Sequence, residues 1–210
     1  MPLKKNKDEA EHIEIVAIVD RSGSMMSCRE EAEKGFNHFI AEQQEQPGEA
    51  SFTMAEFDDR YDLLSDNEDL STIGNYALVP RGLTALYDAV GKTLSTVNTR
   101  QKAKRYRGKT LVVIVTDGAE NASKEWRYEA VQMLIKKLKK KGWEFLFLAS
   151  DINAVQYGIL LGVPTWDTSK SDYVNTYACA SQSASAYRSG TAWSPTAADS
   201  IIVHDMVKED

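Results

Sequence analysis

Two long apolar runs, each followed directly by an aspartate, constrain the fold of this chain more than any other feature. The first is Ile13–Val19 before Asp20, and the second is Thr110–Thr116 before Asp117. Runs so rich in β-branched residues are typical of central parallel strands that are buried on both faces. We therefore expect two central strands, each with an aspartate at its carboxyl end.

The remaining segments predict an α/β fold. Helical spacing occurs at 28–46, 86–97, 124–141, 153–161 and 172–188, and further strands are expected at 52–57, 61–64, 143–149 and 163–166. Strands alternating with helices indicate a doubly wound, mostly parallel sheet of about six strands with helices on both faces. The 52–64 hairpin supplies one antiparallel edge strand. We expect a flexible lead-in at 1–12, one domain at 13–190, and a C-terminal extension at 191–210 that forms an edge strand or a tail.

Composition excludes several classes of function. The 210 residues include 25 basic and 31 acidic side chains, so a general affinity for nucleic acid or anionic membrane is not the first expectation. No apolar run reaches the roughly 18 residues of a membrane helix, and the charged N-terminus is unlike a signal peptide. Cys28 and Cys179 lie far apart and the three histidines are scattered. We therefore expect a reduced, cytoplasmic protein without a Cys/His zinc site.

Five oxygen-bearing side chains fall where a sheet of this type binds its ligands. Asp20 opens a tight turn that also contains Ser22 and Ser24, Thr84 precedes a predicted helix, and Asp117 follows the second central strand. Ligands of open parallel sheets lie beyond the carboxyl ends of the strands. Carboxylate and hydroxyl oxygens are hard donors that suit Mg²⁺, Mn²⁺ or Ca²⁺. The alternative is that these residues only cap helices, because Ser, Thr and Asp favour helix N-termini.

The charge of the five residues indicates how such an ion would be used. Two aspartates neutralise a divalent cation, and three hydroxyls coordinate it without adding charge. An ion held in this way keeps affinity for one more anionic oxygen from outside the protein. The composition favours adhesion to a partner rather than storage of the metal.

The same residues carry a resemblance to a known family. Asp20-x-Ser22-x-Ser24, Thr84 in Gly-x-Thr-Ala-Leu-Tyr-Asp-Ala, and Asp117 in Val-Thr-Asp-Gly resemble the metal-ion-dependent adhesion site of von Willebrand factor A (VWA) domains. The resemblance spans roughly residues 13–190 and implies a doubly wound sheet with one antiparallel edge strand. It implies that the three hydroxyls bind Mg²⁺ directly and that the aspartates act directly or through water. A Glu or Asp of a partner protein would complete the shell.

Three segments further along the chain resemble one particular group within this family. Residues 142–149, 161–163 and 187–190 resemble stand-alone intracellular VWA proteins of bacteria and their phages. Such proteins are often associated with AAA+ ATPases of the MoxR type, which makes an ATPase of that type a candidate partner. Nothing in these residues selects it over other proteins.

Four other features have simpler interpretations. Asn121 and Ser123 are expected to cap the helix that begins at 124, with contact to the metal-binding residues as the alternative. Asp151 lies at the same end of the sheet as the metal and is expected to be a turn residue, with an influence on partner choice as the alternative. The acidic stretch Asp66–Asp69 lacks the spacing of a calcium loop, so a solvated loop is expected there.

Two basic segments supply an alternative function. Residues 100–109 contain six basic side chains around Tyr106, residues 136–141 contain five, and neither segment contains an acid. Both precede neighbouring strands, so they should meet at the face opposite the metal. That face could bind nucleic acid or an acidic protein, although lysines at the end of a helix also complement its dipole.

An enzyme is the remote alternative. An aspartate after the first strand suits Mg²⁺-dependent phosphoryl transfer, but the sequence contains no Gly-x-Ser-x-Gly motif and no phosphate-binding loop with Gly-Lys-Ser/Thr. We therefore expect a Mg²⁺-dependent protein-binding adapter and not an enzyme.

Overall fold

The computed structural model describes residues 12–150, 152–167 and 173–191. Asp151, residues 1–11 and residues 192–210 lie outside these ranges, as does the edge strand or tail expected at the C-terminus. The limits of the domain therefore stay a prediction. Within the described ranges, no helix combines the length and the apolar composition needed to cross a bilayer.

Strands and helices alternate along the chain. The strands are β1 (Ile13–Asp20), β2 (Ala50–Phe57), β3 (Tyr61–Asp69), β4 (Lys109–Thr116), β5 (Trp143–Ala149) and β6 (Thr165–Asp167). The helices are α1 (Arg29–Glu45), α2 (Leu86–Ala103), α3 (Tyr128–Lys139), α4 (Ile152–Leu160) and α5 (Tyr173–Ser189). Short 3₁₀ turns at Gly23–Cys28 and Leu70–Thr72 precede α1 and follow β3.

The strands form one six-stranded sheet in the order β3-β2-β1-β4-β5-β6. β3 is antiparallel to β2 at one edge, and all other neighbours are parallel. The predicted fold class is confirmed. The chain leaves β1 toward one edge and later returns to β4 on the other side of β1, so the strand order reverses between β1 and β4.

Alternate residues of the central strands build a core on each face of the sheet. Ile15 and Val113 belong to the core that includes Phe36 of α1 and Tyr177 of α5. Helices α2, α3 and α4 pack over the other face, where their buried side chains meet Val16, Ile18, Val112 and Ile114. Burial on both faces explains why β1 and β4 are almost uniformly apolar.

The acidic stretch Asp66–Asp69 is part of β3, so the expectation of a loop there is wrong. Its backbone pairs with β2, with Asp69 opposite Ser51 and Glu68 opposite Phe52. Charged side chains are tolerated because β3 is an edge strand with one solvated side. Asn67 adopts a positive φ of 61°, where the register of the two strands shifts.

Candidate metal site

The two aspartates predicted at strand ends lie side by side. Asp20 ends β1 and Asp117 directly follows β4, and the two strands pair in parallel with Val19 opposite Val115. Both residues are buried, since Asp20 is 0% exposed and Asp117 is 4% exposed. The reversal of strand order between β1 and β4 leaves a crevice there, which is where open parallel sheets bind ligands.

Asp20 is a buried carboxyl held by two hydrogen bonds. The Thr116 hydroxyl donates to Oδ2 at 2.5 Å, and the backbone N–H of Ser22 donates to Oδ1 at 2.6 Å. Burial raises the pKa of Asp20 to about 6, and the neighbouring charge of Asp117 acts in the same direction, against hydrogen bonds from Thr116 and Ser22. Buried carboxylates in proteins are paired with a cation or bound to a metal, so the site favours a positive ion.

Two serine hydroxyls connect the first turn to Asp117. Oγ of Ser24 donates to Oδ1 of Asp117 at 2.6 Å, and the hydroxyls of Ser22 and Ser24 lie 3.0 Å apart. Gly23 passes close to the loop before α2: its N–H donates to the carbonyl of Gly82 at 3.1 Å, and a Cβ on Gly23 would lie only 3.3 Å from that oxygen. Two hydroxyls and two carboxylates thus form one polar cluster.

Gly118 shows how near Thr84 lies to this cluster. A Cβ placed on Gly118 would be 2.8 Å from Oγ1 of Thr84, 3.2 Å from Oγ of Ser24 and 3.4 Å from Oδ2 of Asp20. Oxygens from two separate segments, the turn after β1 and the loop before α2, therefore border one small space that the glycine leaves open. The structure brings all five predicted residues together, and their role as ligands stays a prediction.

Backbone hydrogen bonds hold Thr84 in place from the loop after β4. The N–H of Thr84 donates to Oδ1 of Asn121 at 2.9 Å, and the carbonyl of Thr84 accepts from the N–H groups of Asn121 and Ala122. The expectation that Asn121 caps a helix beginning at 124 is wrong because α3 begins at Tyr128, whereas the alternative of contact with a metal-binding residue agrees with the structure. Asn121 instead acts on the segment that carries Thr84.

The loop after β4 also caps the start of α2. Glu120 accepts the N–H of Tyr87 at 2.9 Å and Ser123 accepts the N–H of Asp88 at 3.1 Å, while the N-cap residue Ala85 makes no side-chain capping bond. Asp88 in return accepts three backbone N–H groups of the same loop, from Lys124, Glu125 and Trp126. We call this reciprocal arrangement the α2 clamp. Ser123 is therefore a cap of α2 and not of α3, contrary to the sequence-based expectation.

A buried arginine lies between Asp20 and Ser22 and was missed by sequence reasoning. Nε of Arg21 donates to Oδ2 of Asp58 at 2.9 Å, and its terminal nitrogens pair with Glu56 and Asp62. Arg81 donates to the same Asp58 oxygen at 2.7 Å. Only 7% of the Arg21 side chain is exposed. The three acids come from β2, β3 and the turn between them, so no local pattern around Arg21 indicates this cluster.

The arginine cluster fixes the spacing of the two loops that carry Ser22 and Thr84. The N–H of Arg81 donates to the carbonyl of Arg21 at 2.7 Å, and the N–H of Ala85 donates to the carbonyl of Asp58 at 2.9 Å. Gly82 between them has a positive φ of 70°, and a Cβ there would be 2.3 Å from Asp59. Backbone hydrogen bonds therefore hold the loop before α2 on both sides of Thr84.

The donor set of the cluster fits a hard divalent cation. The described residues contain no group of three or more His, Cys, Asp or Glu side chains arranged to hold a metal. A site here would depend on two carboxylates together with hydroxyls, which suits Mg²⁺ or Mn²⁺ and not a soft metal. Space left by Gly118 and a raised pKa at Asp20 agree with that fit.

Comparisons with known proteins identify the fold. No family model matches the chain, and no curated protein matches it by sequence. Among solved structures, the vWF domain of the type V pili tip protein Mfa5 from Porphyromonas gingivalis matches with a TM-score of 0.62 at 10% identity, covering 83% of this chain and 95% of that one. The chain has a VWA fold.

Two further VWA structures agree. Manganese-loaded TRAP from Plasmodium vivax matches with a TM-score of 0.58 at 16% identity over 79% of this chain and 72% of that one. A von Willebrand factor type A protein from Catenulispora acidiphila matches with a TM-score of 0.58 at 12% identity over 84% of this chain. The present chain spans only 43% of that protein's length. At these identities the likeness concerns the fold alone.

Proposed function

We propose that this chain is a cytoplasmic protein-binding adapter that uses Mg²⁺ to capture an acidic side chain of a partner protein. The observation that carries the proposal is the single space bordered by oxygens of Asp20, Ser24 and Thr84, with Asp117 hydrogen-bonded to Ser24. Mn²⁺ and Ca²⁺ suit the same donors. The likeness to a protein whose solved structure is manganese-loaded supports a divalent ion.

The residues of this chain have distinct roles in the proposed mechanism. Asp20 and Asp117 supply two negative charges, and the hydroxyls of Ser22, Ser24 and Thr84 supply neutral oxygens. When bound, the ion would supply a Lewis-acidic position for a carboxylate from outside. Because the two aspartates only balance the charge of the ion, a partner Glu or Asp would add a single negative charge to an otherwise neutral site.

Exposed apolar side chains beside the site would add contact area. Met26 follows Ser24 by two residues and is 61% exposed, and Leu83 directly precedes Thr84 and is 57% exposed. Burial of such side chains contributes affinity that a single carboxylate–metal contact lacks. We therefore propose that the partner presents its acid on a surface with apolar neighbours. A AAA+ ATPase of the MoxR type is the first candidate to test.

Binding rather than catalysis is proposed because the described residues lack a strong base at the site. His12 contacts Ser51 at the opposite edge of the sheet, and His38 lies on α1 beside Glu42. The hydroxyl of Ser24 is hydrogen-bonded to Asp117, a carboxylate that is a weak base for activating a serine.

Metal binding by the chain alone is the first test. Electron paramagnetic resonance of Mn²⁺ should show binding to the wild type and a loss of affinity of at least about tenfold for Thr84→Val, which removes one ligand oxygen at nearly constant volume. Thr96→Val, at an exposed position of α2, is the matched control and should bind Mn²⁺ like the wild type. Equal affinity of Thr84→Val and wild type would refute the site.

Partner capture is the second test. The tagged chain should retain a protein from the lysate of its source cell in Mg²⁺ but not in EDTA, and Asp20→Ala should retain none. Direct mixing with a MoxR-type ATPase tests that candidate in the same two buffers. If neither EDTA nor Asp20→Ala reduces the amount of protein retained, metal-dependent adhesion is disproved.

A further inference from the structure

The two basic segments expected from the sequence meet near the amino ends of β4 and β5, whereas the candidate metal site lies at the carboxyl ends of β1 and β4. Lys102, Arg105 and Arg107, at the end of α2 and in the loop after it, line a cavity of about 430 Å³ together with Lys141, which precedes β5. Nζ of Lys141 donates to Oδ1 of Asn98 at 2.7 Å and so ties the second segment to α2. We call the cavity lined by these four cations the basic groove.

The positive charge of the basic groove is not balanced by acids of the described chain. No Asp or Glu lines the cavity, and none of the ion pairs within the described ranges involves these four cations. Nearby Arg100 differs, since it pairs with Glu14 and Asp66. Desolvation and the positive charges of Lys102 and Lys137 lower the pKa of Lys141, a cost that a bound anion would relieve.

The wall of the basic groove is held in place by backbone contacts. Arg105 has a positive φ of 53°, and the next N–H, of Tyr106, donates to the carbonyl of Gln101 at 2.9 Å. The Tyr106 hydroxyl donates to the carbonyl of Lys109 at 2.8 Å, which fixes one aromatic ring of a lining that also includes Trp143. The groove therefore combines four cationic side chains with an aromatic wall whose position is set before any ligand arrives.

We propose that the basic groove binds single-stranded nucleic acid through its phosphate backbone. Arginine forks match phosphate geometry, and an aromatic ring offers a stacking face to a base. The volume lies within the range of small-ligand pockets and suits about one base, while the four exposed cations reach phosphates of the neighbouring nucleotides. Outside the two basic segments the chain carries 14 basic and 31 acidic residues. Contact is therefore confined to the groove, which favours a flexible strand over a duplex that needs an extended positive surface.

Fluorescence anisotropy of a labelled, mixed-sequence RNA dodecamer tests the proposal. The full chain is titrated in EDTA at about 50 to 300 mM KCl, so the result does not depend on the proposed metal site. We expect affinity to fall with salt with a log–log slope of about −2, which corresponds to about three phosphate contacts on a single strand. A slope near zero would contradict phosphate contact.

Charge reversal locates the binding site. Arg105→Glu combined with Arg107→Glu should weaken binding at least about tenfold and make the salt slope shallower by about 1.4, since each phosphate contact contributes about 0.7. Arg29→Glu combined with Lys34→Glu changes the net charge equally on the exposed side of α1 and should weaken binding less than about threefold. Circular dichroism of both variants serves as the control for folding. Equal weakening in the two variants, or no binding by the wild type, would overturn the proposal.

Competitors separate a strand from other anions. Tripolyphosphate at equal phosphate concentration should displace the RNA poorly, because it offers no base for Tyr106. Displacement as effective as that by unlabelled RNA would reduce the groove to a simple phosphate site and overturn strand binding. Equally effective displacement by polyglutamate would assign the groove to an acidic protein and overturn it as well.

Discussion

Gly118 is the residue on which the candidate metal site depends for space. A Cβ at this position would lie 2.8 Å from Oγ1 of Thr84, closer than side chains tolerate, so Thr84 or Ser24 would have to move. We expect Gly118→Ala to weaken Mn²⁺ binding by at least about tenfold while the chain still folds, at an overpacking cost of about 1–3 kcal/mol. Titration followed by electron paramagnetic resonance measures the change.

Gly74→Ala is the control for this substitution. A Cβ at Gly74 would have nothing within 4 Å, so the same change of residue type adds no contact there. Mn²⁺ affinity should stay within about twofold of the wild type. Unchanged affinity in Gly118→Ala would mean that the oxygens around Gly118 do not bind the ion.

Arg21 is predicted to stabilise the fold by neutralising buried acids. Arg21→Met would remove the cation paired with Glu56, which is 12% exposed, and would leave Asp58, which is 1% exposed, with Arg81 alone. Removing one partner of a buried ion pair costs about 3–5 kcal/mol. Urea denaturation should show a loss of that size, and combining the substitution with Asp58→Asn should cost less than the sum of the single changes. A loss below about 1 kcal/mol would mean that these ion pairs contribute no more to stability than ordinary surface ion pairs.

At the level of elements, the α2 clamp makes stability depend on pH. Burial acts to raise the pKa of Asp88, but hydrogen bonds from the N–H groups of Lys124, Trp126 and Glu125 lower it below its usual value. The stabilisation is therefore present above the unfolded pKa of about 3.9 and is lost as the pH falls through the folded value. Asp88→Asn should cost about 1–3 kcal/mol near pH 7, and the difference from wild type should shrink below about pH 4. Urea denaturation across this pH range measures it, and a difference that does not change with pH would contradict the mechanism.

Elements that depend on one strong local pattern were predictable from the sequence. β1 and β4 follow from continuous β-branched runs, because only strands buried on both faces require them. The five candidate ligands follow from oxygen-bearing residues at strand and helix ends. The start of α3 did not follow, since Asn121 and Ser123 look like local caps and instead bind Thr84 and Asp88, more than thirty residues earlier in the chain. β3 was underpredicted because its acidic end is extended by pairing with β2, which a local pattern does not encode.

At the level of the whole molecule, the sheet separates two surfaces of opposite character. β1 and β4 each have eight residues and carry the candidate metal site at their carboxyl ends. The basic groove lies near the amino ends of β4 and β5. A strand of that length spans roughly 25 Å at about 3.3 Å per residue. Central strands buried on both faces pack densely and deform little. The proposed acidic partner and the proposed nucleic acid would therefore bind at separate surfaces without contacting each other.

This separation predicts that the two sites act independently. Coupling between sites requires two arrangements of the protein for which the ligands have different affinities. We expect none here, because the densely packed central strands between the two sites resist deformation. Mg²⁺ should therefore weaken RNA binding by the same factor in the wild type and in Gly118→Ala. Competition of Mg²⁺ for the RNA phosphates is common to both proteins. Anisotropy titrations at matched ionic strength measure both responses. A wild-type response that exceeds the variant's by more than about threefold, or roughly 0.7 kcal/mol, would show that the metal site and the basic groove are coupled.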